Sequence, residues 1–253
     1  MKVKLIFVAV VFSTTPGLLV FGQKHVEERN QTWFAYFNQM RFTEKSGMWI
    51  DLHYRLNDDF MKENVVSISR IGYTYFLSDQ VRLTAGYGFV RHFSHVPATP
   101  GLSEHRPWQQ IQWLDRKKWF SMAQYLRVEE RYRPAVVNGE ATTNYTFNWR
   151  FRYNFAITFP LNGTSLEAKE PFFLLNDELH INAGKRIITN YFDQNRFFAG
   201  FGYQFTPQLN AHLGYLYVFQ QQPTPNQFLH INAIRLFVSH NLDLRKKSEA
   251  RKS

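Results

Sequence analysis

Apolar and polar positions alternate with period two along most of the chain, most cleanly from Thr146 to Phe159. Phe147, Trp149, Phe151, Tyr153, Phe155, Ile157 and Phe159 share one face, and Asn148, Arg150, Arg152, Asn154, Ala156 and Thr158 share the other. Successive side chains of a β-strand point to opposite sides, so the pattern predicts a strand. The unbroken aromatic run on one face argues against a soluble sandwich core, where Val, Ile and Leu would be favoured. At roughly 3.3 Å per residue the segment covers about 40 Å. Tilted, it would cross a hydrocarbon layer of about 25–30 Å. The arginines on the other face need water or carboxylates beside them. A strand with lipid on one side and a polar lumen on the other meets both needs, and Phe147, Trp149, Phe151, Tyr153 and Phe155 are the residues expected to face lipid.

Ten further segments are strand candidates, most of them alternating, the first mixed in phase and the fifth short and ambiguous. They are 31–42, 48–56, 67–77, 81–89, 108–114, 119–131, 172–183, 196–205, 209–219 and 228–244. In the last, the two halves alternate out of phase, which predicts a bulge near Ala233–Arg235. The connections also sort. Residues 78–80, 115–118 and 206–208 are short turns, whereas 57–64, 96–107, 133–144 and 185–195 are longer, the asymmetry of an outer-membrane barrel. The linker 160–171 is long where a short turn is due. Bacterial barrels have even strand numbers, which predicts twelve strands, with Lys24–Asn30 contributing the twelfth, or else ten. The expected fold is all-β, a single-domain antiparallel transmembrane β-barrel over residues 23–244.

Composition agrees with that picture. Aromatics make up 17% of the 253 residues while mean hydropathy is −0.38. Alternating strands produce this pairing, because each outward apolar residue is diluted by an inward polar one. The longest apolar run, Leu5–Phe12, is too short to span a membrane as a helix. Together with Lys2, Lys4 and the box Val20-Phe21-Gly22, it reads as a cleaved signal peptide over residues 1–22. The absence of cysteine excludes both a lipid-anchoring cysteine and disulfides. Net charge is +10, but Lys2, Lys4 and a basic tail over 245–253 carry six of those charges. The remainder is unremarkable, and no nucleic-acid motif accompanies it.

Four stretches carry a resemblance: Glu104–Gln110 (EHRPWQQ), Leu126–Arg131 (LRVEER), Phe151-Arg152-Tyr153 and Tyr191–Arg196 (YFDQNR), in that order. The chain is similar to a family of exported bacterial proteins named only as a domain of unknown function and seen as outer-membrane β-barrels. The resemblance covers most of the mature chain. It implies location and fold but no activity, so no catalytic residue is transferred. The ending departs from the usual aromatic terminus of such barrels, since Leu244 is followed by the basic tail.

The polar faces gather candidate chemistry. Arg127, Glu129 and Arg131 share a face, and Arg150 and Arg152 lie on the next strand, with Glu178 and Arg196 as further lumen-facing members. One reading is a network of charge pairs that fills and stiffens a small barrel. The other is an electropositive constriction that selects small anionic solutes. A lipid hydrolase embedded in the outer membrane is the enzymatic alternative, with His105 and His212 as its candidate histidines. No serine sits in a G-x-S-x-G elbow, and no catalytic residue is assigned. His92, His95, Glu104 and His105 lie in one region, but their spacing fits no standard metal site, so neither metal nor cofactor is expected. Inward glycines in the pairs Gly86/Gly88 and Gly200/Gly202 are read as room for large lumen side chains. The expectation is a non-enzymatic bacterial outer-membrane barrel with a narrow or plugged arginine-rich lumen, in contact with membrane lipid; its oligomeric state is left open.

Overall fold

The computed structural model describes residues 24–57, 61–94, 99 and 101–245. The signal-peptide residues 1–22, His95 and most of the basic tail lie outside them. Eleven strands form one closed barrel. They are β1 (His25–Arg41), β2 (Ser46–Asn57), β3 (Glu63–Phe76), β4 (Val81–His92), β5 (Leu102–Arg116), β6 (Ser121–Val137), β7 (Glu140–Pro160), β8 (Glu170–Ala183), β9 (Phe192–Gln204), β10 (Leu209–Gln221) and β11 (Gln227–Asp243). Each of the eleven alternating segments became one strand. Every sequential pair is antiparallel, so strand direction alternates along the chain.

The even count is overturned, and with it the wholly antiparallel sheet. Residues 25–30 are not a separate strand but the first part of β1, continuous with Gln31–Arg41. With an odd number of alternating strands the first and last run the same way, and β1 closes on β11 in parallel from His25↔Gln227 to Arg41↔Asp243. Chain ends therefore leave the barrel at opposite rims.

The bulge expected near Ala233–Arg235 is also absent. β11 pairs without a register shift against both β1 and β10. Its apparent change of phase is a change in what the lumen takes: Leu229, Ile231 and Ala233 point inward along its first half, then Arg235 and Phe237. Register shifts occur instead at Arg55/Leu56, Pro134/Val136 and His180/Ile181. The third doubles the inward positions, so both Asp193 and Gln194 are buried.

One rim carries the tight turns between β1 and β2, β3 and β4, β5 and β6, and β9 and β10. It also carries the long connection between β7 and β8, which lays Leu166 against the apolar part of the lumen. At the other rim the expected 133–144 loop is replaced by strand. β6 and β7 run on to a two-residue turn, Asn138-Gly139, with φ of 52° and 81°. Two positive φ values are what an Asn-Gly hairpin turn of type I′ supplies.

Inside and outside differ as the alternation demands. Leu52, Tyr73, Leu83, Tyr87, Ile111, Leu126, Phe201, Leu213 and Tyr215 are large, apolar and exposed on the outer face. The lumen is filled by polar and charged side chains and by two apolar clusters, a large one centred on Trp33, Phe172, Phe198, Leu216, Val218 and Phe237 and a small one of Val66, Ile68 and Val90. Glycines make room for the larger of these. A side chain at Gly202 would overlap the Phe172 ring, and Gly72 faces Gly86 beneath Trp108, which is fully buried.

Candidate functional site

The charged part of the lumen is built by cross-strand register. β6 and β7 place Arg127 opposite Arg152, Glu129 opposite Arg150 and Arg131 opposite Asn148. β8 and β9 place Glu178 opposite Arg196. All seven lumen candidates therefore project to the same side of the wall, and six of them are buried, with Arg196 nearly so. On the other side Trp149, Phe151 and Tyr153 are exposed, while Phe147 and Phe155 are half-buried among outer-face neighbours.

Three carboxylates organise the arginines. Glu104 accepts a bidentate pair from Arg131, at 2.6 and 3.0 Å, and a further bond from Arg106 Nε at 2.9 Å. Glu129 accepts from Arg152 Nη1 at 2.6 Å and lies 3.4 Å from Arg106 Nη1 and 3.9 Å from Arg70 Nη2. Glu178 accepts from Arg152 Nε at 3.0 Å and stands 3.5 Å from Arg196. Asp51 holds Arg70 at 2.7 Å, and Asp193 holds Arg150 at 2.8 Å. The chain Asp51–Arg70–Glu129–Arg152–Glu178 thus crosses the lumen from β2 to β8. Tyr125 lies between Arg127 and Arg152, 5.1 and 5.8 Å from their guanidinium carbons, and donates its hydroxyl proton to Glu178.

The balance is strongly cationic. Between the rims, eleven of the described arginines turn inward: Arg55, Arg70, Arg82, Arg106, Arg127, Arg131, Arg133, Arg150, Arg152, Arg196 and Arg235. Five carboxylates face them: Asp51, Glu104, Glu129, Glu178 and Asp193. Guanidinium groups stay protonated in proteins, so the excess cannot be removed by deprotonation.

The crossing network divides two chambers. One, of about 370 Å³, lies toward the tight-turn rim, and the other, of about 210 Å³, toward the opposite rim. Both touch Trp33, Arg55, Arg70, Arg152 and Arg196. Trp33 is stacked by two of these, with the Arg55 carbon 3.6 Å and the Arg196 carbon 5.1 Å from the ring centre. Stacked guanidinium groups keep their edges free for oxygen ligands.

The histidine candidates do not assemble. His105 lies on the outer face, against Tyr87, Phe89 and Tyr145. His212 lies in the lumen beside Arg235, Phe198 and Phe237. His92 stands 3.5 Å from Glu104 inside, on the side of the wall away from His105. Among the described residues no three His, Cys, Asp or Glu side chains form a metal-binding group.

Sequence reasoning missed several members. Glu104 and Arg106 fell in a stretch read as loop, although Glu104, Arg106, Trp108, Gln110 and Gln112 alternate as cleanly as any strand. Asp51, Arg55 and Arg70 were on recognised polar faces but lacked a sequence-adjacent partner to draw attention. Asp193 fell in the stretch 185–195 read as loop, whereas β9 starts at Phe192. Arg235 was obscured by the supposed bulge.

Fold and lumen together define a closed, mostly antiparallel β-barrel with a cation-rich interior. The chain belongs to the family described as protein of unknown function, DUF2490, whose model matches residues 30–229. Neither a curated protein nor a solved structure matches it.

Proposed function

We propose that the protein is a bacterial outer-membrane barrel, exported by its signal peptide, whose narrow arginine-lined lumen admits small anions. The observation that carries this reading is the pairing of an apolar outer face with a lumen holding eleven arginines against five carboxylates. A closed barrel satisfies every backbone hydrogen bond internally, which is the condition for crossing hydrocarbon with strands. The outward Leu, Ile, Phe, Tyr and Trp side chains would then meet lipid. Within the lumen, fixed positive charge in a water-poor passage attracts anions and repels cations. The chain Asp51–Arg70–Glu129–Arg152–Glu178 lies between the two chambers, and an anion passing from one to the other would exchange its water for the guanidinium groups beside it, Arg55, Arg70 and Arg196.

The test is conductance of the mature chain, folded from detergent into a planar bilayer, with salts that differ only in the anion or only in the cation. Anion-preferring steps, weakened when Arg127, Arg150 and Arg152 are neutralised, are the expected result. Cation preference, a silent inserted barrel or a protein that stays monodisperse without detergent would overturn it.

A further inference from the structure

The larger chamber is not uniformly charged. One side is apolar, formed by Phe172, Leu174, Leu216 and Phe237. Into the same space projects Arg235, only 7% exposed, its guanidinium carbon 3.4 Å from the Phe198 ring centre. Every polar partner of Arg235 is neutral. Its Nη2 donates to His212 Nε2 at 3.3 Å, its Nη1 reaches Asn176 Oδ1 at 3.4 Å, and its buried Nε has no acceptor. Because a guanidinium can only donate, His212 Nε2 must be the acceptor, and an imidazole accepting there is uncharged. Among the described residues no carboxylate lies within 4.0 Å of Arg235, in contrast to Arg131 and Arg152 on the opposite wall.

A buried charge that is unpaired is costly, and a cavity wall of aromatic and aliphatic carbon is poorly wetted. An inorganic anion would answer the first and leave the second. An uncharged apolar molecule would do the reverse. We propose that this chamber binds an organic carboxylate with an apolar body, its carboxylate forked on Arg235 and its body against Phe172, Leu174, Leu216 and Phe237. At about 370 Å³ the chamber falls in the range of small-molecule sites, roughly 300–1,000 Å³. Planar guanidinium matches a carboxylate through two parallel N–H···O bonds, so the head-group preference is for carboxylate over a point anion. The proposal rests on the reading of the lumen as anion-accepting and names the class of anion.

Equilibrium dialysis of the folded barrel in zwitterionic nanodiscs, with empty nanodiscs as the partition control, tests it with three probes: 2-naphthoate, its uncharged analogue 2-naphthamide, and acetate. The expected order is 2-naphthoate at least tenfold tighter than 2-naphthamide, with acetate at least a hundredfold weaker than 2-naphthoate. Arg235→Gln should remove at least tenfold of the naphthoate affinity and leave naphthamide unchanged, while Arg235→Lys should keep part of the preference. Equal binding of naphthoate and naphthamide by the unaltered protein overturns the proposal, whether or not Arg235→Gln folds. So does naphthoate binding that Arg235→Gln leaves intact. If naphthoate does not bind while anion-selective conductance persists, only this proposal falls; if the conductance is cation-selective, the reading beneath it falls too.

Discussion

The lumen has two walls that solve the same filling problem differently. The charged wall, on β2 to β9, carries Asp51, Arg70, Glu104, Arg106, Glu129, Arg131, Arg150, Arg152 and Glu178, interlocked by short ion pairs, with Val66, Ile68 and Val90 as a small apolar patch among them. The apolar wall, on β1, β10 and β11 and joined by Phe172, Leu174 and Phe198, carries Trp33, Ala35, Leu216, Val218, Leu229, Ile231, Ala233 and Phe237, packed as a hydrophobic core with His212 and Arg235 set into it. The apolar wall gains free energy group by group, roughly 25 cal/mol for each Å² of apolar surface removed from water. The charged wall gains little net free energy from any one pair, because desolvation of the ions offsets their attraction. Removing one partner there strands the others. The difference teaches that the walls should respond oppositely to single substitutions: steeply and non-additively on one, modestly and additively on the other.

The steepest response is expected at Glu129, whose carboxylate faces Arg70, Arg106 and Arg152 together. Glu129→Ala leaves three guanidinium groups without it in a buried site, and breaking such a cluster costs about 3–5 kcal/mol. Denaturant unfolding of the barrel in detergent or vesicles measures this. A loss below about 1 kcal/mol would show the charged wall to be hydrated and loosely coupled. Combining Glu129→Ala with Arg106→Met should recover part of the loss, since it removes one stranded charge while Glu104 keeps its pair with Arg131; strict additivity would break the comparison from the other side.

The next effect concerns the exterior that both walls share. Phe151 points outward and is 45% exposed, while its neighbour Arg152 is buried in the lumen. If lipid covers the outer face, Phe151→Arg costs about 2–4 kcal/mol near mid-membrane and impairs assembly. Heat-modifiability on gels reads this directly. Arg82→Ala, at an inward arginine whose partners are the neutral Gln112 and the Trp49 ring, should instead alter conductance while leaving insertion largely intact. Equal tolerance at the two positions would sink the inside–outside assignment.

On the apolar wall, Val218 is fully buried against the cluster. Val218→Ala removes two methyl groups and should cost about 1–2 kcal/mol, judged from the loss per buried methylene and the cavity left behind. Pairing it with a substitution on the charged wall should give additive losses, which denaturation midpoints can check to within about 0.5 kcal/mol.

How far this was legible in the sequence follows from the same contrast. Strand existence and facing were readable because an aromatic, apolar exterior and a charged interior exaggerate the period-two pattern, as in Phe147–Phe159. The charged wall was therefore partly visible: Arg127, Glu129, Arg131, Arg150 and Arg152 sit on adjacent strands, where sequence order already implies contact. The apolar wall was not, because Leu229, Ile231 and Ala233 put apolar side chains inward and blurred the alternation of β11 into an imagined bulge. Strand number failed for a different reason. The eleven segments could be counted, but a general rule of even closure outweighed them, and nothing in β1 or β11 alone announces a parallel seam. The Asn138-Gly139 turn was a legible signal that went unused.

That seam supplies the smallest effect. At the tight-turn rim, Arg245 bonds Asp243 at 2.6 Å and Glu44 at 3.0 Å, tying the end of β11 to the turn after β1. These are the residue types that dominate the charged wall, but here both carboxylates are largely solvent-exposed. Water screens such pairs, so Arg245→Ala should cost no more than about 0.5 kcal/mol, and less at high salt. The hydrogen bond from Arg245 holds the Asp243 carboxyl below its ordinary range. A carboxylate with a depressed folded value adds stability above its unfolded pKa, about 3.9, and loses it as pH falls through the folded one. The small loss from Arg245→Ala should therefore be present at pH 7 and shrink toward zero in acid. Unfolding midpoints of both proteins at pH 7 and pH 3 measure the difference. A loss from Arg245→Ala as large as that from Glu129→Ala would mean that ion pairs here are graded by residue type rather than by burial, and the contrast between the two walls would lose its physical basis.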